Sequence, residues 1–120
     1  MPWSFSGDKP IFQQIVDYIT IDIVSGKYKA GDRLDAVREL AITAGVNPNT
    51  MQRALAAIEE SGIIYTKRGD GRYVVEDTEI IETVKKKYVE RAIRKLTEDL
   101  LNLGLNNDEI IKAVANELEI

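Results

Sequence analysis

Amide, hydroxyl and guanidinium side chains follow one another closely in the middle of this 120-residue sequence: Asn49, Thr50, Gln52 and Arg53. On a helix, residues three and four apart share a face, so Asn49, Gln52 and Arg53 would point the same way. Such amides pair bidentately with adenine, and arginine pairs with guanine or with phosphate. Any solvated helix can show the same face, so the pattern indicates a nucleic-acid contact only together with other evidence.

A second group of candidate side chains is basic and surrounds two glycines. Lys67, Arg68 and Arg72 lie within six positions around Gly69 and Gly71. Cations bind the phosphates of nucleic acids, and glycines in a turn let the backbone approach closely. We expect positive φ angles at both glycines. A purely structural hairpin is the alternative interpretation.

Most residue sets that support catalysis are absent from the sequence. It contains no cysteine and no histidine, which excludes disulfides, Cys/His zinc sites, thiol nucleophiles and Ser-His pairs. The Gly69-x-Gly71 pattern lacks the lysine and the hydroxyl residue of a phosphate-binding loop. The carboxylates show no spacing typical of acid-base or metal chemistry. We therefore predict that the protein is not an enzyme and has no metal and no cofactor.

The length and the distribution of charge limit the possible architectures. A chain of 120 residues forms one domain, or a domain with a short appendage. Its 16 basic and 20 acidic side chains give a net charge of −4, and the excess acid lies after residue 75. No apolar run approaches the ~20 residues of a membrane span and no leader precedes the chain, so we expect a cytoplasmic protein without membrane contact. We predict two regions, 1–76 and 77–120.

Three helices are predicted in the first region from apolar spacing and from residues typical of helix ends. The first starts at Pro10, ends before Gly26 and has an apolar face of Ile11, Phe12, Ile15, Val16, Ile19 and Ile23. The second is capped by Asp35, ends at Gly45 and faces inward through Val37, Leu40, Ala41 and Ala44. The third starts at Asn47-Pro48, ends at Gly62 and faces inward through Met51, Ala54, Leu55 and Ile58.

Two strand-forming segments follow the helices. Residues 63–67 and 72–75 flank the turn 68–71, which predicts a β-hairpin. Three helices with a tight turn between the second and third, followed by a hairpin, form a winged helix-turn-helix. We therefore predict a mainly α fold with a small β-hairpin, in which 1–76 is a DNA-binding domain. Trp3 and Phe5 are expected to hold the leading segment against this domain or against a partner.

With these motifs in order, the sequence resembles the GntR family of bacterial transcription regulators, and more closely its YtrA subfamily. The resemblance covers roughly residues 3–75. It rests on PIFQQI (10–15), GKYKAGDRL (26–34), VRELA (37–41), VNPNTMQRA (46–54), GII (62–64) and RGDGRYV (68–74). Each motif alone is weak, whereas the ordered set is highly specific.

The resemblance implies which side chains contact DNA. It places Arg38 of the second helix at the DNA, the third helix on the reading surface, and the wing on the phosphate backbone or minor groove. The DNA-binding residues that we predict are Arg38, Asn47, Asn49, Thr50, Gln52, Arg53, Lys67, Arg68, Gly69, Gly71 and Arg72. Asp35-Ala36 departs from the family's usual Pro-Ser and places a negative charge where a hydroxyl would meet phosphate.

Residues 78–103 have the apolar periodicity of one long helix. Gly104 ends it, and Asn106 with Glu109 forms a capping box for a last helix. We interpret the two helices as a hairpin whose excess apolar face is buried in a homodimer, which the YtrA resemblance also implies. The predicted interface is Ile81, Val84, Tyr88, Ala92, Leu96, Leu100 and Leu103. The alternative is that this face packs on the chain's own first helix.

Two further expectations concern this second region. Lys85, Lys86 and Lys87 lie among glutamates of the same helix, so we interpret them as a solvated, ion-paired face and not as a nucleic-acid patch. The inward faces of the helices carry no convergent polar groups of the kind that orient a ligand, so we expect no small-molecule effector.

These patterns predict a dimeric, sequence-specific DNA-binding transcription regulator, which we expect to be a repressor on an inverted-repeat operator. The alternative is a winged helix used as a protein-interaction or scaffolding module without specific DNA binding. Arg38, Arg53 and Arg68 discriminate between the two hypotheses. One positive surface formed by these arginines favours DNA, and a scatter of solvated charges favours the scaffold.

Overall fold

The computed structural model describes residues 3–120, which form five helices and two strands. The elements in chain order are α1 (Ile11–Val24), α2 (Val37–Ala44), α3 (Pro48–Glu60), β1 (Ile64–Lys67), β2 (Gly71–Val74), α4 (Thr78–Asn102) and α5 (Asn107–Glu117). This order confirms the predicted fold class, a mainly α winged helix-turn-helix with a small β-hairpin and two further helices.

Helices α1, α2 and α3 form the core of the first part of the chain, with α3 packed against the other two. The predicted inward residues of α3 are all buried. Helix α1 buries Ile15, Ile19 and Ile23, together with Thr20, which the apolar spacing does not predict. The prediction fails at Ile11, which stays 47% exposed in the first turn of α1. The buried face of α1 therefore begins after Ile11, later than the apolar spacing predicts.

The turn between α2 and α3 is as tight as the sequence predicts. Gly45 is left-handed, with a φ of 77°, and its N–H donates to the carbonyl of Ala41 at 2.9 Å. This conformation ends α2 and suits glycine, because a Cβ would be strained there. Only Val46 intervenes before Asn47, whose side chain caps α3 by accepting a hydrogen bond from the N–H of Asn49 at 2.8 Å.

The start of α2 differs from the prediction. Ala36 occupies the cap position, and no side chain caps the first N–H groups of the helix. A capping residue must have extended backbone immediately before the helix, and that place belongs to Ala36 and not to Asp35. The prediction that Asp35 caps α2 is therefore wrong.

Strands β1 and β2 pair antiparallel as the predicted wing. The connector before α2 adds to this hairpin, because Arg33 bridges to Tyr73 and the N–H of Leu34 donates to the carbonyl of Arg72 at 2.9 Å. The apolar side chains that anchor the wing and the connector in the core are Leu34, Ile63, Ile64 and Val74. The wing is therefore attached both to the core and to the segment that leads into α2.

Trp3 and Phe5 hold the leading segment against its own chain, which is one of the two expected arrangements. The ring of Trp3 stacks on Tyr18 of α1 with the ring centroids 4.0 Å apart. The backbone N–H of Trp3 donates to the carbonyl of Ala44 at 3.2 Å. The ring of Phe5 lies 6.4 Å from that of Trp3. The segment is thus joined to α1 and to the end of α2.

The chain divides into two compact units, one ending at Lys85 and the other spanning Lys86–Ile120. This division by packing lies inside α4, whereas the change in composition lies near residue 76. The first turns of α4 belong to the first unit, and Ile81 and Val84, each 9% exposed, are buried there.

The second unit consists of the rest of α4 and of α5. The capping box predicted for α5 is present, because Asn106 accepts from the N–H of Glu109 at 2.9 Å and Glu109 accepts from the N–H of Asn106 at 3.0 Å. Ile110 is buried, whereas eight large apolar side chains between Val89 and Ile120 are exposed. Most of the apolar surface of this unit therefore lacks cover within one chain.

Helix α4 is 25 residues long. A helix of about 20 apolar residues is long enough to cross a bilayer. Neither α4 nor any other helix within residues 3–120 combines such a length with the apolar composition that crossing requires.

Candidate DNA-binding surface

The outward face of α3 presents the predicted reading residues. Asn49, Gln52 and Arg53 are exposed and Thr50 is half-buried, whereas Met51 on the opposite face is fully buried. The separation follows from the helical period, which turns every third or fourth residue into the core. The N-terminal half of α3 therefore carries hydrogen-bonding side chains on a free surface.

Asn47 belongs to the predicted DNA-binding residues, but its side-chain oxygen is already bound within the protein. It accepts the hydrogen bond from the N–H of Asn49 at 2.8 Å. Pro48 follows at the first helical position, where a missing N–H costs no hydrogen bond. Asn47 thus fixes the start of α3 and, with it, the position of Asn49.

Arg38 and Arg53, on α2 and α3, are exposed cations. The guanidinium carbon of Arg53 lies 5.5 Å from the centroid of the Phe12 ring, a cation–π contact that orients the side chain towards α1. Among residues 3–120, Arg38, Arg53 and Arg68 form no ion pair. All three arginines are therefore available to an external anion.

The tip of the wing is the turn of residues 68–70 between β1 and β2. Gly69 has a φ of 77°, which confirms the expected positive angle at this glycine. Lys67 and Arg68 are exposed, and Nζ of Lys67 lies 5.4 Å from the centroid of the Tyr73 ring. Two of the predicted cations therefore lie free at the wing tip.

Arg33, which is not among the predicted DNA-binding residues, is bound to the wing tip. Its Nε lies 3.2 Å from Oδ1 of Asp70, and its Nη2 donates to the backbone carbonyl of Asp70 at 2.6 Å. The Tyr73 hydroxyl donates to Oδ2 at 2.8 Å and, with Arg33 and Lys67 nearby, holds the pKa of the Asp70 carboxyl below its usual value. Asp70 therefore stays ionised and ties the wing tip to the connector before α2.

Gly71 contradicts the expectation of a positive φ. It is not among the left-handed glycines of the described chain. Position 71 instead requires glycine for space, since a Cβ there would lie 3.0 Å from Nη2 of Arg33 and 3.1 Å from its Nε. The guanidinium group of Arg33 thus occupies the place of a side chain at residue 71.

Arg72 is not one of the free cations of the wing. Its Nε lies 3.3 Å from Oε1 of Glu59, and only 16% of its side chain is exposed. This N–H is not directed at the carboxylate, so the contact is an ion pair without a hydrogen bond. The hydroxyl of Thr66 donates to the same oxygen of Glu59. Arg72 and Thr66 thus join the two wing strands to Glu59 near the end of α3, and these contacts fix the position of the wing.

A cleft of about 210 Å³ lies between the wing and the start of α2, lined by residues 33–37 and 70–72. It contains the Arg33–Asp70 pair, whose charges neutralise each other. Nowhere in residues 3–120 do three or more side chains that bind metals come together. We interpret the cleft as the gap left where the wing packs beside the start of α2.

The predicted dimer-interface residues lie in two environments. Ile81 and Val84 are buried within the first unit, so they are not available to a second copy. The remaining predicted residues are half-buried or exposed: Tyr88, Ala92, Leu96, Leu100 and Leu103. Three further apolar side chains of α4 are about half exposed: Val89, Ile93 and Leu101. The apolar surface that a partner could cover therefore begins near residue 88.

The three consecutive lysines of α4 are solvated but not ion-paired. Lys85, Lys86 and Lys87 are exposed, and none forms an ion pair with another described residue. The glutamates of α4 therefore do not neutralise them, and the expected ion pairing is wrong.

Comparison with known proteins identifies this arrangement. The family described as bacterial regulatory proteins, gntR family, matches residues 11–74. YhcF, an HTH-type transcriptional regulator of Bacillus subtilis, is 36% identical over 92% of this chain and 91% of its own. The HTH-type transcriptional repressor YtrA of the same species is 34% identical over 84% of this chain and 78% of its own. A solved GntR family transcriptional regulator from Listeria monocytogenes has a TM-score of 0.88 and 45% identity, covering 93% of this chain and 98% of that one.

The family match spans the three helices and the wing, and YhcF and the Listeria structure extend over both units. These relatives are transcription regulators, which confirms the prediction that the chain is not an enzyme. The chain belongs to the GntR family of bacterial transcription regulators, whose DNA-binding part is the winged helix-turn-helix seen here.

Proposed function

We propose that two copies of this chain bind an inverted-repeat operator and repress transcription from it. The observation that carries the proposal is the free N-terminal half of α3, where Asn49, Gln52 and Arg53 are exposed and the helix start is capped. Residues in this position contact base edges in the major groove of DNA in helix-turn-helix proteins. The exposed Lys67 and Arg68 at the wing tip are suited to phosphate.

The side chains of the reading surface divide into two roles. Gln52 reads a base edge, because an exposed amide can bond bidentately to adenine in the major groove. Arg53 is oriented by Phe12 and Thr50 is half-buried, so both suit phosphate contacts that position the helix. Arg38 adds a contact to a base edge from α2.

The exposed apolar face of the second unit supports the dimer. Val89, Ile93 and Leu96 are 47%, 55% and 46% exposed in one chain. Fully burying each such side chain stabilises an assembly by roughly 1.5–3 kcal/mol. A twofold dimer binds two half-sites about 10 base pairs apart, or a multiple of that distance, which is why the operator is an inverted repeat. The repressor role is supported by the similarity to the repressor YtrA.

We propose further that no small-molecule effector binds the second unit. Its helices present isoleucine, leucine and valine side chains and lack the convergent polar groups that orient a ligand. Regulation then acts through dimerisation, through DNA occupancy, or through synthesis and turnover. Native mass spectrometry of protein purified from its host tests this point, and a metabolite bound stoichiometrically to the second unit would contradict it.

Selection of bound fragments from a random pool of double-stranded DNA tests the main proposal. We expect an enriched inverted repeat for the parent protein, and binding weaker by on the order of 1–3 kcal/mol for Arg38→Ala. Lys112→Ala, a cation removed from α5, is the matched control and should bind like the parent. A pool without any enriched sequence, with Arg38→Ala binding like the parent, would instead favour a scaffolding module.

A further inference from the structure

Two basic side chains near the candidate DNA-binding surface lie beside carboxylates. Nε of Arg33 is 3.2 Å from Oδ1 of Asp70, and Nε of Arg72 is 3.3 Å from Oε1 of Glu59. A carboxylate at such a distance offsets the positive charge that would attract a phosphate. These two arginines therefore fix the wing, but as paired groups they add little attraction for DNA.

Two other cations of this surface lie over aromatic rings instead. The guanidinium carbon of Arg53 is 5.5 Å from the centroid of the Phe12 ring, and Nζ of Lys67 is 5.4 Å from that of Tyr73. The face of an aromatic ring attracts a cation at this distance. Both cations are exposed, and neither forms an ion pair with any of residues 3–120. The rings therefore restrain the two side chains while their full charge remains.

The fold holds both rings in place. Phe12 is half-buried in the first turn of α1, and α1 packs against α3, the helix that carries Arg53. Tyr73 is half-buried in β2, where its ring stacks on Tyr65 of β1 with the centroids 5.9 Å apart. Its hydroxyl donates to Oδ2 of Asp70 at 2.8 Å. Each ring is thus fixed by contacts that do not involve DNA.

We propose that Phe12 and Tyr73 are positioning residues for DNA binding, which hold Arg53 and Lys67 ready for phosphate without neutralising them. A long basic side chain loses rotamer freedom when it is fixed on a phosphate, and a side chain that is already restrained loses less. The ring attracts the cation through its charge and accepts no N–H hydrogen bond that a phosphate needs. This inference rests on the phosphate contacts of the proposed function and adds the residues that prepare them.

A double-mutant cycle tests the pair on α1 and α3. The full-length variants Phe12→Leu, Arg53→Ala and the combination of both are titrated with the operator enriched from the random pool. Leucine remains apolar but has no ring, so Phe12→Leu should raise the Kd about two- to fivefold for each copy bound. Once Arg53→Ala is present, Phe12→Leu should have no further effect, because no cation is left to hold. Phe12→Tyr retains the ring and should restore the affinity of the parent.

The coupling between the two substitutions distinguishes positioning from damage to the fold. Damage to α1 would weaken binding equally with and without Arg53, so a Phe12→Leu effect that persists beside Arg53→Ala would overturn the proposal. Phe12→Leu with the affinity of the parent would overturn it as well. Failure of the proposed function has a different result, in which Arg53→Ala itself keeps the affinity and the salt slope of the parent. That result would refute the phosphate contact of Arg53 and, with it, the role of Phe12.

The wing provides an independent cycle. Tyr73→Phe lacks the hydroxyl that binds Asp70 but keeps the ring, so its comparison with Tyr73→Leu reports the ring alone. We expect Tyr73→Leu to bind the operator about two- to fivefold more weakly than Tyr73→Phe for each copy bound. The two variants should bind equally once Lys67→Ala is present. The same difference with and without Lys67 would show that the ring acts only on the fold of the wing, and would overturn the role of Tyr73.

Discussion

Gly69 and Gly71 lie two residues apart in the wing, and each is needed for a different reason. Gly69 has a φ of 77°, where a side chain is strained. Gly71 is not left-handed, and its missing Cβ makes room for the guanidinium group of Arg33. The sequence predicts a glycine turn here but not this difference, because Arg33 is far away along the chain.

Alanine at each glycine separates the two effects. Gly69→Ala should lower the free energy of unfolding by about 1–2 kcal/mol, since alanine resists the left-handed conformation. Gly71→Ala should cost less, because the atoms that its Cβ would meet lie at the flexible end of Arg33. Urea denaturation of the two variants measures the difference. A larger loss of stability for Gly71→Ala than for Gly69→Ala would contradict this account.

Asp70 limits the free positive charge at the wing tip. Its carboxylate pairs with Arg33, whose side chain is 52% exposed, and accepts a hydrogen bond from Tyr73. Asp70→Asn removes the negative charge beside Arg33, whose guanidinium group can then attract a phosphate, so operator affinity should rise at low salt. The slope of log K against log salt should then steepen by about 0.9, the value for one more phosphate contact. Titrations of a labelled operator at several salt concentrations measure both quantities.

Glu82→Gln, the same change of charge on α4, is the matched control for Asp70→Asn. It should leave the salt slope unchanged. An Asp70→Asn protein with the slope of the parent would show that Arg33 does not contact DNA.

Helix ends are the part of the element structure that the sequence predicts best. Asn47-Pro48 starts α3, Gly45 ends α2 and Asn106 caps α5, as expected from adjacent residues. Asp35 fails as a cap because capping depends on where the backbone turns into the helix, and Ala36 has that position. A local pattern thus predicts the position of a helix end to within about one residue, but it can assign the cap to the adjacent residue.

Contacts between elements could not be predicted from the sequence. The Arg33–Asp70 and Arg72–Glu59 pairs each join residues of different elements, and no periodicity or spacing marks such pairs. Residue type and spacing therefore group Arg72 with the free cations and do not mark Arg33. The wing was predictable as a hairpin, but the way it is fixed to α3 and to the connector was not.

Asn47 could affect DNA binding either by capping α3 or by contacting DNA directly, and two substitutions distinguish these roles. Asn47→Ala removes the acceptor for the N–H of Asn49 and should lower the free energy of unfolding by about 1 kcal/mol. Asn47→Ser keeps an acceptor and should remain close to the parent in both stability and operator affinity. Urea denaturation and operator titration measure the two properties. If Asn47 contacts DNA directly, Asn47→Ser will keep its stability but lose as much affinity as Asn47→Ala.

The two compact units of the chain meet within α4, whereas the amino-acid composition changes near residue 76. Charge and glycine content shift near residue 76, but the apolar periodicity of α4 continues without a break across the division at Lys85. Periodicity shows that a residue faces a neighbour, but it does not show which neighbour. For this reason periodicity alone assigns Ile81 and Val84 to the dimer interface, although both are buried in the first unit.

Truncation at two positions tests this division. A chain that ends at Glu76 loses Ile81 and Val84, and the burial of each contributes roughly 1.5–3 kcal/mol. Its free energy of unfolding should therefore be about 3–6 kcal/mol lower than that of a chain that ends at Lys87. The chain ending at Lys87 keeps both residues but lacks the exposed apolar side chains that follow residue 88, so sedimentation should find it folded and monomeric. Its operator affinity should fall sharply, because a monomer binds one half-site without the gain from a linked second site. Equal stability of the two truncations would show that Ile81 and Val84 do not support the first unit, and a dimeric 1–87 protein would place the interface outside the second unit.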